Sequence, residues 1–276
     1  MKFKAVIVFF NILIVFFVLL VFVLPLAILG KDMAGYFWQN SWLLLFLVLG
    51  VLFLLDLYFA VNYRIYVLLE REDWPALVHV LEDRVLRRGR YTARLVKLLA
   101  TSYLVMSDAK AVTELEKKLT RVKKGLLNDN VLVFGAARLL CGDNQGAAEF
   151  FSARLSGPLS GAGSRAEWVR WYLGFSLFLS RQFEAAADTF MLLCREGREG
   201  VLTALSAYFL NESIAAFLPR RTAELRQAAG AGKERVRQSF GKRAVWDREI
   251  KRIETEVHAA VLVSYLGKAA DYIYRN

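Results

Sequence analysis

The sequence predicts an all-α protein, in which an N-terminal transmembrane helical hairpin precedes an α-solenoid that ends in a long C-terminal capping helix. Three observations lead to this prediction. Hydrophobic residues make up 56% of the 276 residues, and residues 1–63 carry only three Lys and two Asp as charged residues. A helical pattern then recurs at a near-constant interval, and no stretch of any length alternates as a strand does. We therefore expect an anchor over 1–63, helical repeats over 64–217 and a basic helical cap over 218–276.

Two apolar runs in the first 63 residues are long enough to cross a bilayer, whose core requires about 20 helical residues. Ala5–Leu29 is apolar apart from Asn11, and Trp42–Val61 is interrupted by Asp56. The first run also exceeds the roughly 7–15 apolar residues of a signal peptide. We expect an uncleaved hairpin, in which the two polar side chains hydrogen-bond across the spans or lie near headgroup depth.

Basic residues predict the orientation of this hairpin. Lys2 and Lys4 precede the first run, and the connecting loop Gly30–Ser41 holds a single Lys offset by one Asp. The second run is followed by Arg64, Arg71, Arg84, Arg87, Arg88 and Arg90. By the positive-inside rule, an integral protein of a bacterial inner membrane is predicted, with both termini and the repeats in the cytoplasm.

A repeated helical pattern occupies residues 64–217. Alignment on Leu77, Ala111, Ala147 and Ala186 gives intervals of 34, 36 and 39 residues. In each copy a short turn follows one helix, and an Ala or Leu then lies four residues before a bulky apolar residue. We expect small and bulky residues to pack the helices of a copy together, at Gly135, Ala147, Phe151, Gly174, Ala186 and Phe190.

The clearest copy, WYLGFSLFLSRQFEAAADTF over 171–190, resembles the tetratricopeptide-repeat (TPR) family, whose unit is 34 residues in two antiparallel helices. The resemblance implies a concave groove lined by the first helix of each unit, which binds extended or helical peptides. The groove residues would be Tyr103, Leu139, Trp168, Trp171, Phe175 and Phe178. The Lys and Asn that clamp a peptide carboxylate in chaperone-binding members are absent. Two interpretations stay open: the chain's own C-terminal helix fills the groove, or the groove receives a partner's apolar helix.

Local signals predict where helices begin and end. The expected N-caps are Asp73, Thr92, Asn128 or Asp129, and Ser164, the last in a capping box with Glu167. Gly230 to Gly232 is expected to interrupt the pattern. A single long helix should then run from about Lys233 to Tyr274, with a bend at Gly241.

Residues 220–252 carry eleven Lys or Arg and only four acidic residues. On a protein held at a membrane, such a segment fits anionic lipid headgroups, although a solvated basic face is the alternative. The candidate lipid patch is Arg220, Arg221, Arg235, Arg237, Lys242 and Arg243. Smaller basic clusters lie at 84–90 and 117–124. No nucleic-acid-binding module accompanies the charge, so we do not expect nucleic acid as a partner.

Candidate catalytic and metal-binding residues are sparse. His79 and His258 are the only histidines, and Cys141 and Cys194 have no CxxC pairing. We therefore expect no catalytic site, no metal and no cofactor. The working hypothesis is a membrane-anchored TPR scaffold or adaptor that binds another protein. Two alternatives remain: an accessory subunit of an envelope machine such as a flagellar motor or secretion system, and a regulator that recruits an enzyme or RNA through its basic C-terminal region.

Overall fold

The computed structural model describes residues 3–157, 159 and 163–275, so Lys2 of the orientation argument lies outside the described residues. All regular elements in the described ranges are helical, which confirms the predicted all-α class. By its internal contacts the chain divides into two compact units, residues 1–80 and 81–276. The domain boundaries predicted after residues 63 and 217 stay predictions.

The first unit is dominated by α1, Phe3–Glu70, which is interrupted at Gly30. There the backbone has φ 73° and ψ 171°, a left-handed φ that glycine tolerates because it lacks a Cβ. Residues 31–41, predicted to form a connecting loop, are helical. The rings of Phe10 and Phe59 lie 5.4 Å apart, whereas a straight helix would separate them by about 73 Å. The two arms of α1 therefore fold back against each other.

One helix in the described part of the chain is long and apolar enough to cross a membrane. This segment, Phe46–Glu70, has 25 residues and a mean hydropathy of 2.0, and none of its most apolar window is buried inside the protein. It contains most of the second predicted span. Among the described residues of the first arm, a shorter apolar stretch, Phe9–Leu20, is found, so a second membrane-crossing helix is not shown.

Twelve further helices follow α1 in the described residues, several joined by short turns. They are α2 (Trp74–Glu82), α3 (Ala93–Val105), α4 (Ala109–Val122), α5 (Gly125–Asp129), α6 (Val131–Leu140), α7 (Asn144–Leu155), α8 (Ser164–Leu179), α9 (Phe183–Glu196), α10 (Gly200–Tyr208), α11 (Thr222–Phe240), α12 (Arg243–Glu254) and α13 (Val263–Tyr274). From α6 to α11 each helix packs on the next in chain order, and α13 returns to pack on α10. The core of the second unit lies between these helices.

The turns between paired helices repeat a single local geometry. Glu72, Ser107, Gly142 and Arg181 all have a positive φ, at spacings of 35, 35 and 39 residues. In each turn the N–H of the next residue donates to the carbonyl five positions earlier, as Asp143 does to Arg138 at 3.0 Å. This is the Schellman arrangement, which satisfies the last carbonyls of a helix. The interval seen in the sequence therefore corresponds to a repeated helix–turn–helix unit.

In two of these helix–turn–helix repeats, a glycine of the first helix faces a phenylalanine ring of the second, which lets the two helices pack closely. A Cβ added to Gly174 would lie 2.8 Å from Phe190, and one added to Gly135 would overlap the ring of Phe151. Ala147 and the other small residue of the pattern, Ala186, are fully buried. The six predicted packing residues thus lie in the core of the second unit.

The predicted long C-terminal helix is wrong, because the segment forms α11, α12 and α13. Gly241, at φ 58°, ends α11, and a 3-10 turn at Val257–Val261 separates α12 from α13. The predicted interruption at Gly230 to Gly232 instead lies inside α11. A Cβ on Gly232 would be 3.0 Å from the Cys194 sulfur, so this glycine lets α11 approach α9 closely.

Among the predicted caps, Thr92 and Asp73 each accept a backbone N–H, from Leu95 at 3.3 Å and from Ala76 at 3.2 Å. The residue at the start of α6 is Asn130, one position beyond the predicted pair, and its side chain donates to backbone carbonyls instead of capping. This placement buries Asn130 between α3 and α5.

The predicted capping box of Ser164 with Glu167 is also wrong. The N-cap of α8 is Gly163, which makes no side-chain cap. The Glu167 carboxylate is 6% exposed and accepts the N–H of Arg198, at 2.9 and 3.0 Å from its two oxygens, and that of Glu199 at 2.9 Å. Glu167 therefore serves a different helix from the predicted one, because it satisfies backbone donors just before α10 begins.

Replacing Glu167 with alanine is expected to lower the free energy of unfolding by about 3 kcal/mol, since hydrogen bonds to a charged group are lost and two donors are left without a partner. Denaturant titration of the full chain in detergent, followed by Trp fluorescence, measures this change. The exposed Glu196 of α9 provides the control, and Glu196→Ala should change stability by no more than about 0.5 kcal/mol. Equal losses in the two variants would mean that the Glu167 bonds do not stabilise the fold.

Candidate functional site

The aromatic residues of α8 that were predicted to line a groove are covered by the chain itself. Trp171 and Phe175 are 0% and 2% exposed. The ring of Tyr265, on α13, lies 5.6 Å from Phe175 and 5.0 Å from Phe209. Of the two interpretations left open, the structure therefore has the C-terminal segment over this face of α8. The segment that covers α8 consists of the 3-10 turn Val257–Val261 and α13, and is not the predicted long helix.

The other predicted groove residues are distributed through the second unit. Leu139 is buried, and the buried Tyr103 donates its hydroxyl proton to Glu82 at 2.7 Å. Phe178 is half-buried, with its ring 5.3 Å from that of Phe209. Because Tyr103, Leu139, Trp171 and Phe175 are all buried, the six residues do not form one open binding surface.

A cleft of about 330 Å³ remains beside the contact between α8 and the C-terminal segment. Its walls come from α3, the start of α6, the first turn of α8 and residues 252–258. Its polar and aromatic lining comprises Lys97, Asp129, Asn130, Ser164, Arg165, Trp168, Arg252, Thr255, Glu256 and His258. We refer to this feature as the α8 cleft. The cleft combines an aromatic ring with several convergent polar groups, as ligand sites commonly do.

A buried tyrosine–histidine pair lies beside the α8 cleft, and its histidine, His258, lines the cleft. The Tyr172 hydroxyl donates to the carbonyl of His258 at 2.8 Å and lies 3.0 Å from Nδ1 of the same residue. Because a hydroxyl has only one proton, Nδ1 carries its own proton and donates to the Tyr172 oxygen. Nε2 of His258 is then the nitrogen that can accept a hydrogen bond. On another side of the imidazole, the ring of Trp168 lies 5.2 Å from that of His258.

Burial lowers the pKa of His258 to about 4, against a partial opposing effect from Glu256. The imidazole is therefore neutral at pH 7. In the unfolded chain a histidine takes up its proton below about pH 6.5, whereas the folded protein does so only near pH 4. The unfolded state consequently binds more protons between these values, and stability rises with pH across that window.

We expect the free energy of unfolding to fall by up to about 3 kcal/mol as the pH is lowered from about 6.5 to 4. His258→Gln should remove most of this His-dependent slope, which denaturant titrations at several pH values would measure. The exposed His79 is the matched control, and His79→Gln should keep the wild-type slope. A His258→Gln slope equal to that of the wild type would contradict the assignment.

The charges around the α8 cleft are partly paired. Lys97 lies 3.7 Å from Glu256, and Arg252 is paired with Glu249 outside the lining. The guanidinium of Arg165 makes no ion pair among the described residues, and it projects from the first turn of α8. The cleft therefore offers a cation, an aromatic ring and a hydrogen-bond acceptor to a polar ligand.

Within the described ranges, no group of three or more His, Cys, Asp or Glu side chains could hold a metal ion. The Cys194 thiol is buried, and burial raises its pKa to about 12. It is therefore protonated at neutral pH and a poor nucleophile. Cys141 is exposed in the turn after α6.

The family model described as "Uncharacterised Treponema protein" matches residues 111–275. The chain belongs to this Treponema family. A protein of Treponema pallidum (strain Nichols), described as "Uncharacterized protein", is 30% identical over 241 residues, which cover 84% of this chain and 73% of that protein. No solved structure matches the chain.

Membership of the Treponema family corrects the assignment to the TPR family, because no TPR model matches the chain. The pattern of small and bulky residues had a simpler physical source. Closely packed helix pairs need a small residue wherever a ring from the next helix approaches, as at Gly174 and Phe190. Such a pattern reports helix packing and carries no information on ancestry.

In this Treponema-family protein, the predicted lipid patch is largely engaged within the fold. The Arg235 guanidinium donates to the carbonyls of Cys194, at 2.7 Å, and Gly197. Arg237 donates to the carbonyl of Ile273 at 2.8 Å. Both arginines therefore cap the carbonyl ends of helices, α9 in the first case and α13 in the second, where a positive charge is favoured.

Two more of the six patch residues form ion pairs. Arg221 lies 2.6 Å from Glu184 and 2.8 Å from Asp188, and Arg243 lies 3.1 Å from Asp271. Arg220 and Lys242 are exposed. The structure therefore does not bring the six residues together as a free basic surface.

Proposed function

We propose that this Treponema-family protein is a membrane-anchored adaptor, which binds another protein at the cytoplasmic face of the bacterial inner membrane. The observation that carries the anchor is the unburied apolar surface of Phe46–Glu70. A helix of this length and hydropathy fits the hydrocarbon core of a bilayer, whereas in water its surface would drive association. The contact of Phe10 with Phe59 supports a hairpin, in which Ala5–Leu29 supplies the other span.

The basic residues that flank the proposed spans support a topology for the hairpin. We expect both termini in the cytoplasm and the segment around Gly35 outside, by the positive-inside rule. A cytoplasmic reporter fused after the last residue should be active, and an extracytoplasmic reporter inserted at Gly35 should be active as well. Exchanging the two reporters should abolish both signals. The reverse pattern would reject the hairpin together with the cytoplasmic location.

The α8 cleft is our candidate site for the partner protein. The cleft has a volume of about 330 Å³, which accommodates a few side chains of a bound segment. Arg165 could pair with an acidic group of that segment, the ring of Trp168 offers apolar contact, and His258 accepts a hydrogen bond. Convergent binding groups without an activated nucleophile favour recognition over catalysis.

Affinity purification of the full chain in mild detergent, with mass spectrometry, tests the adaptor role. Arg165→Glu reverses the charge at the cleft, and Arg226→Glu makes the same change at an exposed position of α11. A protein retained by the wild type and by Arg226→Glu, but lost with Arg165→Glu, is the expected result. If no protein shows this dependence while both variants melt like the wild type, the cleft is not the partner site and the proposal fails.

A further inference from the structure

Two sequence-distant basic segments meet on the second unit. Residues 84–94 contain five Arg, residues 117–124 contain five Lys or Arg, and neither segment contains an acidic residue. The Lys118 ammonium donates to the carbonyl of Leu86 at 3.5 Å, and that of Lys123 donates to the carbonyl of Tyr91 at 3.5 Å. These contacts across 32 positions place the C-terminal half of α4 beside the loop that follows α2. We call the combined feature the α4 basic surface.

Most of the positive charge of the α4 basic surface faces solvent. Lys117 and Arg121 are exposed and lie at i and i+4, so they share one face of α4, and the exposed Lys124 follows the end of that helix. Burial, together with the neighbouring charges of Arg90 and Arg88, lowers the pKa of Arg84. Asp83 pairs with Arg88 at 2.8 Å, and the positive charges of Arg88 and Arg90 still act on Arg84.

An apolar side chain accompanies these charges. Val122 is 55% exposed between Arg121 and Lys123. A mixture of basic and exposed apolar side chains is typical of surfaces that lie against a bilayer, where the cations meet headgroup phosphates and the apolar groups reach below them.

We propose that the α4 basic surface binds the anionic phospholipid headgroups of the membrane in which the protein is anchored. This proposal rests on the anchor proposed above. Only thirteen residues separate Glu70, the end of the apolar helix, from Arg84. Covalent attachment to the anchor keeps the basic surface at a high effective concentration near the headgroups, which favours lipid over a soluble polyanion such as RNA.

Reactivity of lysines in the full chain, reconstituted into nanodiscs, tests the proposal. One set of discs holds phosphatidylcholine alone and the other also holds phosphatidylglycerol, and an amine-reactive reagent is read out by mass spectrometry. Lys117 and Lys124 should react about five-fold more slowly in the anionic discs, which corresponds to ~1 kcal/mol per basic side chain at an anionic leaflet. High salt should remove the difference, because it screens the charges.

Two exposed lysines serve as internal controls. Lys110, at the start of α4, and Lys242, in the segment that the sequence favoured as a lipid patch, should react equally in both kinds of disc. Slower labelling of Lys242 alone would overturn the proposal in favour of the C-terminal segment. Equal labelling of Lys117 and Lys124 in the two kinds of disc would also overturn the proposal. Protection of these two lysines by RNA, added to discs without anionic lipid, would overturn it as well.

Alkaline carbonate extraction of the full chain from lipid vesicles of the same two compositions separates this proposal from the anchor on which it rests. A chain that stays in the membrane, but shows no lipid-dependent protection, retains the anchor and loses the basic surface. A chain that is released loses the anchor itself. A reversed-charge variant, Lys117→Glu with Lys124→Glu, should stay in the membrane and lose the salt-sensitive protection of the neighbouring Lys118 and Lys123.

Discussion

Removing residues 257–276 is expected to abolish the cooperative unfolding of the second unit. The deleted segment contributes Leu262, Leu266 and Ile273, each no more than 1% exposed, and burial of each such side chain stabilises a fold by roughly 1.5–3 kcal/mol. The combined loss of ~5 kcal/mol or more is comparable with the total stability of a typical domain, about 5–15 kcal/mol. The Tyr172 hydroxyl would also lose both groups that it contacts on His258.

Thermal unfolding in detergent, followed by Trp fluorescence, together with limited trypsin digestion, measures this effect. The truncated chain should lack a sharp transition and be cut by trypsin after Arg165 or Arg170, because loss of the packing on α8 lets its backbone unfold into the protease. Val263→Ser changes an exposed residue of α13 and should melt like the wild type. A truncated chain with a normal transition would mean that the segment is a removable cover, which would restore the alternative of a partner's helix on this face of α8.

Phe190→Ala is expected to lower the free energy of unfolding by about 3–5 kcal/mol, since it opens a cavity in the core. The Phe190 side chain is fully buried, and its ring lies 5.6 Å from that of Phe209 and 5.9 Å from that of Trp171. The neighbouring helices cannot close the space without moving both aromatic rings. Denaturant titration of the full chain gives the change directly.

Two further variants make this measurement specific. Leu192→Ala, on the same helix but partly exposed at 36%, should cost much less. Gly174→Ala should destabilise the wild type, because the added methyl would crowd Phe190, but should be tolerated when Phe190 is already alanine. This coupling is expected only for residues in direct contact, so additive losses would contradict the packing described here.

Local interactions explain why the helical organisation was predictable. A helix start depends on a residue such as Thr92 and the three positions after it, and a Schellman turn involves residues within about six positions. Hydrophobic periodicity likewise needs only a few turns of chain. The all-α class and the helix–turn–helix interval could therefore be predicted from the sequence.

The candidate site could be predicted only in fragments. His258 was visible as an isolated histidine, but its partner Tyr172 is 86 positions earlier and no spacing connects the two. Trp168 was assigned to a groove, whereas the structure places it at the edge of a cleft. Glu167 looked like a cap for its own helix because capping boxes are local, and its carboxylate instead meets backbone N–H groups 31 and 32 positions later.

The basic residues show the same division between sequence and structure. The sequence by itself determined that the chain is helical, that an apolar helix precedes a basic part and where the paired helices turn. Only the tertiary structure decided that Arg235 and Arg237 cap distant helix ends, while the two smaller basic segments meet on α4. The physical reason is that a charge has no assigned partner until the fold brings a carbonyl, a carboxylate or solvent to it, whereas turns and helix periods are set by neighbours in the chain.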